Sequence, residues 1–190
     1  MQLLKDRIVL DGKVIGTEIL MVDSFLNHHL DVDLFNEMGK EFKRLYEGEE
    51  ITKILTIEAS GIAIAIIAAQ YFKVPVVFAK KHVGTNMDME NYEAEVFSFT
   101  KNTLYKIRVS KKYISATDKV LIIDDFLANG RALLGLSSLV KQAGAKVVGA
   151  GIVIEKAFQK GREFVENEGI RVESLARIEK MEDGKVTFMD

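Results

Sequence analysis

The chain has 190 residues, 48% of them hydrophobic, with one proline and no cysteine, so it can bury a core and is neither a disordered segment nor a disulfide scaffold. A formal charge of −2 and an isoelectric point near 6.0 give no general attraction to nucleic acid or to an anionic membrane, so neither is expected as a partner and any basic chemistry has to be local. The lack of cysteine excludes thiolate metal sites and fits a reducing, cytoplasmic setting; the N-terminal MQLLKDRIVLDGK has no sustained apolar run, and GIAIAIIAAQYF (61–72) is too short to span a bilayer.

Within DVDLFNEMGKEFKRLYEGEE (31–50), Leu34, Phe35, Met38, Phe42, Leu45 and Tyr46 recur at helical spacing and predict an amphipathic helix. KILTIE (53–58) predicts a short strand and residues 61–72 a buried Ala/Ile-rich helix. VPVVFAKK (74–81) predicts a strand whose proline sits at its start, where a missing N–H matters least. VFSFTK (96–101) and TLYKIRVS (103–110) alternate with period two about Lys101-Asn102, a weak turn signal, and predict an antiparallel hairpin. VLIID, GRALLGLSSLVKQAG (130–144) and AKVVGAGIVIE (145–155) then complete another β-α-β unit. The expected class is α/β: a doubly wound, mostly parallel sheet flanked by helices, with residues 1–190 forming a single domain. Residues 1 to about 30 and the C-terminal ESLARIEKMEDGKVTFMD (173–190) are left over, and are expected to form a small hood outside the main sheet.

The chemistry concentrates in VLIIDDFLANGRA (120–132). A continuous apolar run marks a central parallel strand, and ligands of open α/β sheets gather beyond the carboxyl ends of such strands. Asp124 and Asp125 stand at that edge, followed by Gly130 and the start of a helix whose free N–H groups favour an anion. Neither the GxxxxGK[ST] nor the GxGxxG spacing is present. Two carboxylates beside an anion cradle suit a phosphorylated sugar, whose vicinal hydroxyls donate to the acids while its phosphate rests on the helix end. The alternative reading of the same pair is a solvated strand-end cap.

This segment resembles the PRPP (phosphoribosyl pyrophosphate) motif of type I phosphoribosyltransferases. It departs from the commoner ATGGT-like ending, because Ala128, Asn129, Gly130, Arg131 and Ala132 lack two hydroxyl side chains usual there, which leaves more of the work to backbone N–H groups. That variant and the whole-chain layout are similar to the bacterial xanthine-using branch of the family. The resemblance implies PRPP and xanthine as substrates, Mg²⁺ arriving with PRPP rather than on a protein metal site, and a homodimer. It makes Asp124 and Asp125 the catalytic acids holding the ribose hydroxyls, with residues 128–132 around the 5-phosphate. In TIEASGI it places Ala59, Ser60 and Gly61 in the pyrophosphate loop, a nest of N–H groups at a helix start. Lys80 and Lys81 match basic residues of a related adenine enzyme that reach the pyrophosphate, sometimes across a dimer interface. The polar stretch HVGTNMDMENYEAE (82–95) is too long for a tight connection and is a candidate lid that excludes water, or equally an idle surface loop. Leu20 and Asn27, in EILMVDSFLNHHL (18–30), map onto base-contacting positions, and Lys156 onto a residue binding an oxo group of a 6-oxopurine. Taken without the family, Asn27 reads as a helix cap and Lys80, Lys81 and Lys156 as strand-end surface cations. His28, His29 and His82 lack ligand spacing and are treated as structural or solvent-facing.

Three alternatives stay open on this reading: a phosphoribosyltransferase for guanine, hypoxanthine or adenine; a non-catalytic PRPP-sensing regulator, whose transcriptional form carries an added N-terminal DNA-binding domain; and an RNA-binding relative, which needs a basic face.

Overall fold

The computed structural model describes residues 1–81, 90–98 and 103–189. An N-terminal segment contains α1 (Gln2–Asp11), β1 (Lys13–Ile15), β2 (Ile19–Met21) and one π-helical turn (Asp23–Asn27). There follow α2 (Val32–Leu45), β3 (Lys53–Ile57), α3 (Ser60–Phe72), β4 (Val76–Ala79), a hairpin of β5 (Asn91–Ser98) and β6 (Thr103–Ser110), β7 (Lys119–Leu127), α4 (Arg131–Gln142), β8 (Lys146–Lys156), α5 (Gly161–Asn167), β9 (Val172–Glu182) and β10 (Lys185–Phe188).

Six strands form the main sheet in the order β10-β9-β8-β7-β3-β4, all parallel except the edge strand β10. The expected doubly wound, mostly parallel sheet is therefore present. Successive residues of a strand point to opposite faces, and the two faces build two cores. Ile54, Leu121 and Ile123 pack with Phe35, Met38, Phe42, Ile64 and Ala68 of α2 and α3. Leu55, Val120 and Ile122 pack with Leu133, Leu136 and Val140 of α4 and with Val96 and Ile107 of the hairpin. Helix α2 starts where the Asp31 carboxylate accepts from the Leu34 N–H at 3.1 Å, so Asp31 rather than Asn27 is its cap. At its far end the buried Tyr46 hydroxyl donates to Ala150 O at 2.9 Å, tying the helix to β8.

Several expectations change. Residues 173–188 are not outside the main sheet: β9 lies parallel to β8, and β10 closes the edge antiparallel to β9. The N-terminal segment does meet them, since Lys5 Nζ donates to Met189 O at 2.9 Å and lies over the Phe188 ring. The hairpin begins at Asn91 rather than Val96, so residues 91–95 of the expected lid are strand. Residues 82–89 of that lid, including His82, and the Lys101-Asn102 turn lie outside the described residues. Among the described residues the hairpin forms its own two-stranded sheet, tied to the main one by a bridge in which Lys80 and Arg108 exchange backbone hydrogen bonds of 2.9 and 3.0 Å.

Candidate active site

From β3 the chain winds outward to β4 on one side and to β7, β8 and β9 on the other, which makes the boundary between β3 and β7 the topological switch point of the sheet. Pairing of β3 with β7 stops at Leu55–Ile122, whereas β7 stays paired with β8 as far as Leu127–Glu155. Asp124 and Asp125 thus sit inside β7, on the stretch that has outrun its β3 neighbour. The crevice opened there is bordered by the turn from β3 into α3.

That turn is tight. The Glu58–Ala59 peptide is cis, α3 begins at Ser60, and Ala59 and Ser60 are exposed at its start. The Glu58 carboxylate accepts from the Lys81 backbone N–H at 2.5 Å, joining this turn to the end of β4. Gly61 is pressed against Thr56 and Asp124: a Cβ there would lie 2.1 Å from the Thr56 hydroxyl and 3.1 Å from Asp124 Oδ1. The Thr56 hydroxyl is fully buried and has no hydrogen-bond partner among the described residues.

The loop after β7 reaches α4 through Gly130, whose φ of 76° lies in the left-handed region that favours glycine. Asn129 Oδ1 accepts from the Arg131 N–H at 3.2 Å, an Asx-type turn that shapes the approach to the helix. The small size of Gly130 has a protein cause, because a Cβ there would come 2.9 Å from Gly161 O and 3.2 Å from Val165 Cγ2. Ala128, Asn129 and Ala132 are half-buried and Arg131 is exposed, its guanidinium over the Phe164 ring.

Asp124 is 6% exposed. Burial, and then the neighbouring charge of Asp125, push its carboxyl well above the usual range, with the Asp125 N–H and the charge of Lys81 acting the other way. Its Oδ1 accepts from the Asp125 N–H at 3.0 Å, and Asp125 Oδ1 accepts from the Phe126 N–H at 3.0 Å. Lys81 Nζ stands 5.5 Å from the centre of the Tyr105 ring, and the Tyr105 hydroxyl is itself pushed up by burial and by Asp124. The structure therefore groups Asp124, Lys81 and Tyr105, while Lys80 turns outward as an exposed side chain. Tyr105 was missed in the sequence, although it shares a strand face with the buried Ile107 and Val109 at period two.

On the β8 side, Lys156 is half-buried, and burial lowers its ammonium despite the opposing charge of Glu18. Its Nζ donates to Glu18 O at 2.5 Å and lies 5.7 Å from the Phe126 ring centre. A residue of the N-terminal segment thus touches the end of β8, but through Glu18 rather than Leu20 or Asn27. Leu20 is buried on β2, and Asn27 is exposed at the end of the π-helical turn. Phe126 was inside the quoted motif and was not singled out; it offers a half-buried aromatic face beside Lys156. His28 and His29 are exposed.

Among the described residues no cluster of three or more His, Cys, Asp or Glu could hold a metal. Two adjacent carboxylates alone suit a hydrated Mg²⁺ that a polyphosphate brings with it better than a site made only of protein. No helix among the described residues is long and apolar enough to cross a membrane.

Comparison with known proteins finds relatives over most of the chain. The family model described as "Phosphoribosyl transferase domain" matches residues 21–176. A xanthine phosphoribosyltransferase of Clostridium novyi (strain NT) is 68% identical over 188 residues, 99% of each chain. One of Ruminiclostridium cellulolyticum is 60% identical over 190 residues, 100% of each chain. Among solved structures, the APRTase from Giardia lamblia complexed with 9-deazaadenine superposes with a TM-score of 0.79 at 25% identity, covering 92% of this chain and 97% of that one. The adenine phosphoribosyltransferase of Saccharomyces cerevisiae gives 0.74 at 21% identity, covering 92% and 99%, and shares the fold.

Proposed function

The chain belongs to the phosphoribosyl transferase domain family, and on that premise we propose that it transfers the 5-phosphoribosyl group of PRPP to N9 of xanthine, giving XMP and pyrophosphate in purine salvage. The observation that carries the proposal is the meeting of Asp124 and Asp125 with the starts of α3 and α4 at the switch point of the sheet.

In the reaction the C1–O bond to pyrophosphate breaks as the N9–C1 bond forms, and the ribose gains oxocarbenium character. Catalysis of such a step is mostly positioning and electrostatics. Asp124 and Asp125 hold the ribose hydroxyls and oppose the developing positive charge. Backbone N–H groups of residues 128–132 take the 5-phosphate, and those of Ala59, Ser60 and Gly61 take the pyrophosphate. Lys81 faces the same crevice, with Lys80 beside it. Mg²⁺ arriving with PRPP would be met by Asp124 and Asp125 through its water shell and would supply positive charge against that of the pyrophosphate. Lys156 donates to the 6-oxo group, Phe126 lends its face to the base, and Leu20 and Asn27 border the purine. A lysine donates and cannot accept, so it suits a carbonyl and disfavours the amino group of adenine.

A cytoplasmic location and a homodimer are part of the proposal. Val96 and Ile107 of the hairpin are covered within the chain by α4, and Leu104 is 59% exposed. Incubation with PRPP, Mg²⁺ and each purine in turn, following pyrophosphate, tests the proposal.

A further inference from the structure

Glu155 is 1% exposed, yet it is ion-paired rather than replaced by an apolar residue. Arg162 donates to it through a two-pronged fork, Nε to Oε1 at 2.8 Å and Nη2 to Oε2 at 2.6 Å, and Arg177 Nε stands 3.2 Å from Oε2. The other donors of Arg162 reach Val172 O at 2.9 Å, Glu166 Oε1 at 2.9 Å and Ser174 Oγ at 3.3 Å. One guanidinium therefore joins the end of β8, the start of α5 and the start of β9. A buried ion pair is often no more stabilising than apolar residues of the same volume, so its presence asks for a reason other than stability.

From each partner one covalent step leads into the site. Glu155 directly precedes Lys156 at the end of β8. Arg162 directly follows Gly161, whose N–H donates to Ala128 O at 3.0 Å. That contact is too close for any side chain: a Cβ on Gly161 would lie 2.3 Å from Ala128 O and 2.9 Å from Gly130 N. The ion pair thus has the phosphate loop at one end and the base-side lysine at the other.

We infer that the Glu155–Arg162 pair is a positioning clamp that sets the phosphate loop, through Gly161, against Lys156, so that a phosphoribosyl donor and a planar 6-oxopurine are held in line when both are bound. The inference rests on the function proposed above. Neither residue touches reacting atoms; both act through their neighbours. Two bound reactants must meet within a narrow geometry, and a displacement of about 1 Å can lower the rate by roughly 100-fold. The clamp serves the doubly occupied site, so its loss falls on kcat more than on the binding of either substrate alone.

Two variants test it. Arg162→Lys keeps the charge but loses the planar fork, and the double variant Glu155→Gln, Arg162→Gln removes both charges together. Each is measured for thermal stability, for hydrogen exchange across residues 128–134, for kcat, and for the separate affinities of PRPP and xanthine by titration. The clamp predicts that Arg162→Lys stays folded with faster exchange across 128–134, separate affinities within about threefold of native, and kcat lower by roughly 10- to 100-fold. Native kcat in a folded variant overturns the inference, as does a loss carried equally by the separate affinities. If neither variant folds, the pair is a determinant of the fold and the inference is overturned. If the native chain releases no pyrophosphate with any purine, it is the proposed function that fails. The exchange rates then still decide the clamp, and unchanged exchange across 128–134 overturns it.

Discussion

Lys156 Nζ donates to the main-chain carbonyl of Glu18 at 2.5 Å while lying over the ring of Phe126, which joins the N-terminal segment to the end of β8 through one half-buried cation. An ammonium has three hydrogens, so one bond to Glu18 leaves donors for a purine oxygen. A site built to pair one polar group rejects an analogue lacking it by roughly 10⁴-fold. Lys156→Ala should therefore collapse the preference for oxo over amino purines, read as the ratio of kcat/KM for xanthine and adenine. An unchanged ratio would show that the base is read elsewhere.

Asp124→Asn with Asp125→Asn should lower kcat/KM by about 10³-fold or more, since on the proposed function the pair supplies the carboxylate oxygens that hold the ribose hydroxyls in the transition state, while circular dichroism stays native. Stability should move the other way in Asp124→Asn alone. The fold raises the Asp124 carboxyl, so the proton it favours stabilises fully below the unfolded-state range, and that contribution is lost as pH rises toward the raised value. Asparagine is neutral throughout. The variant should melt above the native protein at neutral pH, with the gap closing below about pH 3, where Asp is protonated in both states. A gap that widens on acidification would contradict the assigned direction.

Gly130→Ala should cost both stability and PRPP affinity. The left-handed φ of 76° and the approach of Gly161 O leave no room for a side chain. A strain of about 1–2 kcal/mol lowers the melting point of a chain this size by roughly 2–8 °C. Titration should show PRPP binding weakened more than purine binding. Equal loss of both would make the loop a scaffold alone.

Sedimentation at micromolar concentration should give twice the 21.3 kDa chain mass. A fully active species of single-chain mass would remove the dimer from the proposal.

The centre of the fold was legible because Val120 to Ile123 are apolar without alternation, as a strand buried on both faces requires. The C-terminal strands were not, because charge hides their pattern. Along β9, Glu173 and Arg177 are spoken for by ion pairs with Arg171 and Glu155, so a buried strand carries polar letters. Helix α1 was missed for a similar reason: Leu3, Leu4, Ile8, Val9 and Leu10 are spread round the helix, only Leu4 and Ile8 are buried, and no side chain caps its start. In the site, the acid pair and both glycine turns are local in sequence and could be read. The grouping of Lys81 with Tyr105, and of Lys156 with Glu18 and Phe126, joins distant segments and required the fold.

The measurement that bears most directly on the proposed activity is pyrophosphate release from PRPP and Mg²⁺ with xanthine, guanine, hypoxanthine and adenine supplied one at a time. The expected order of kcat/KM is xanthine first, then guanine or hypoxanthine, with adenine at background. Adenine as the best substrate would contradict the reading of Lys156, and no release with any of the four would contradict the transferase itself.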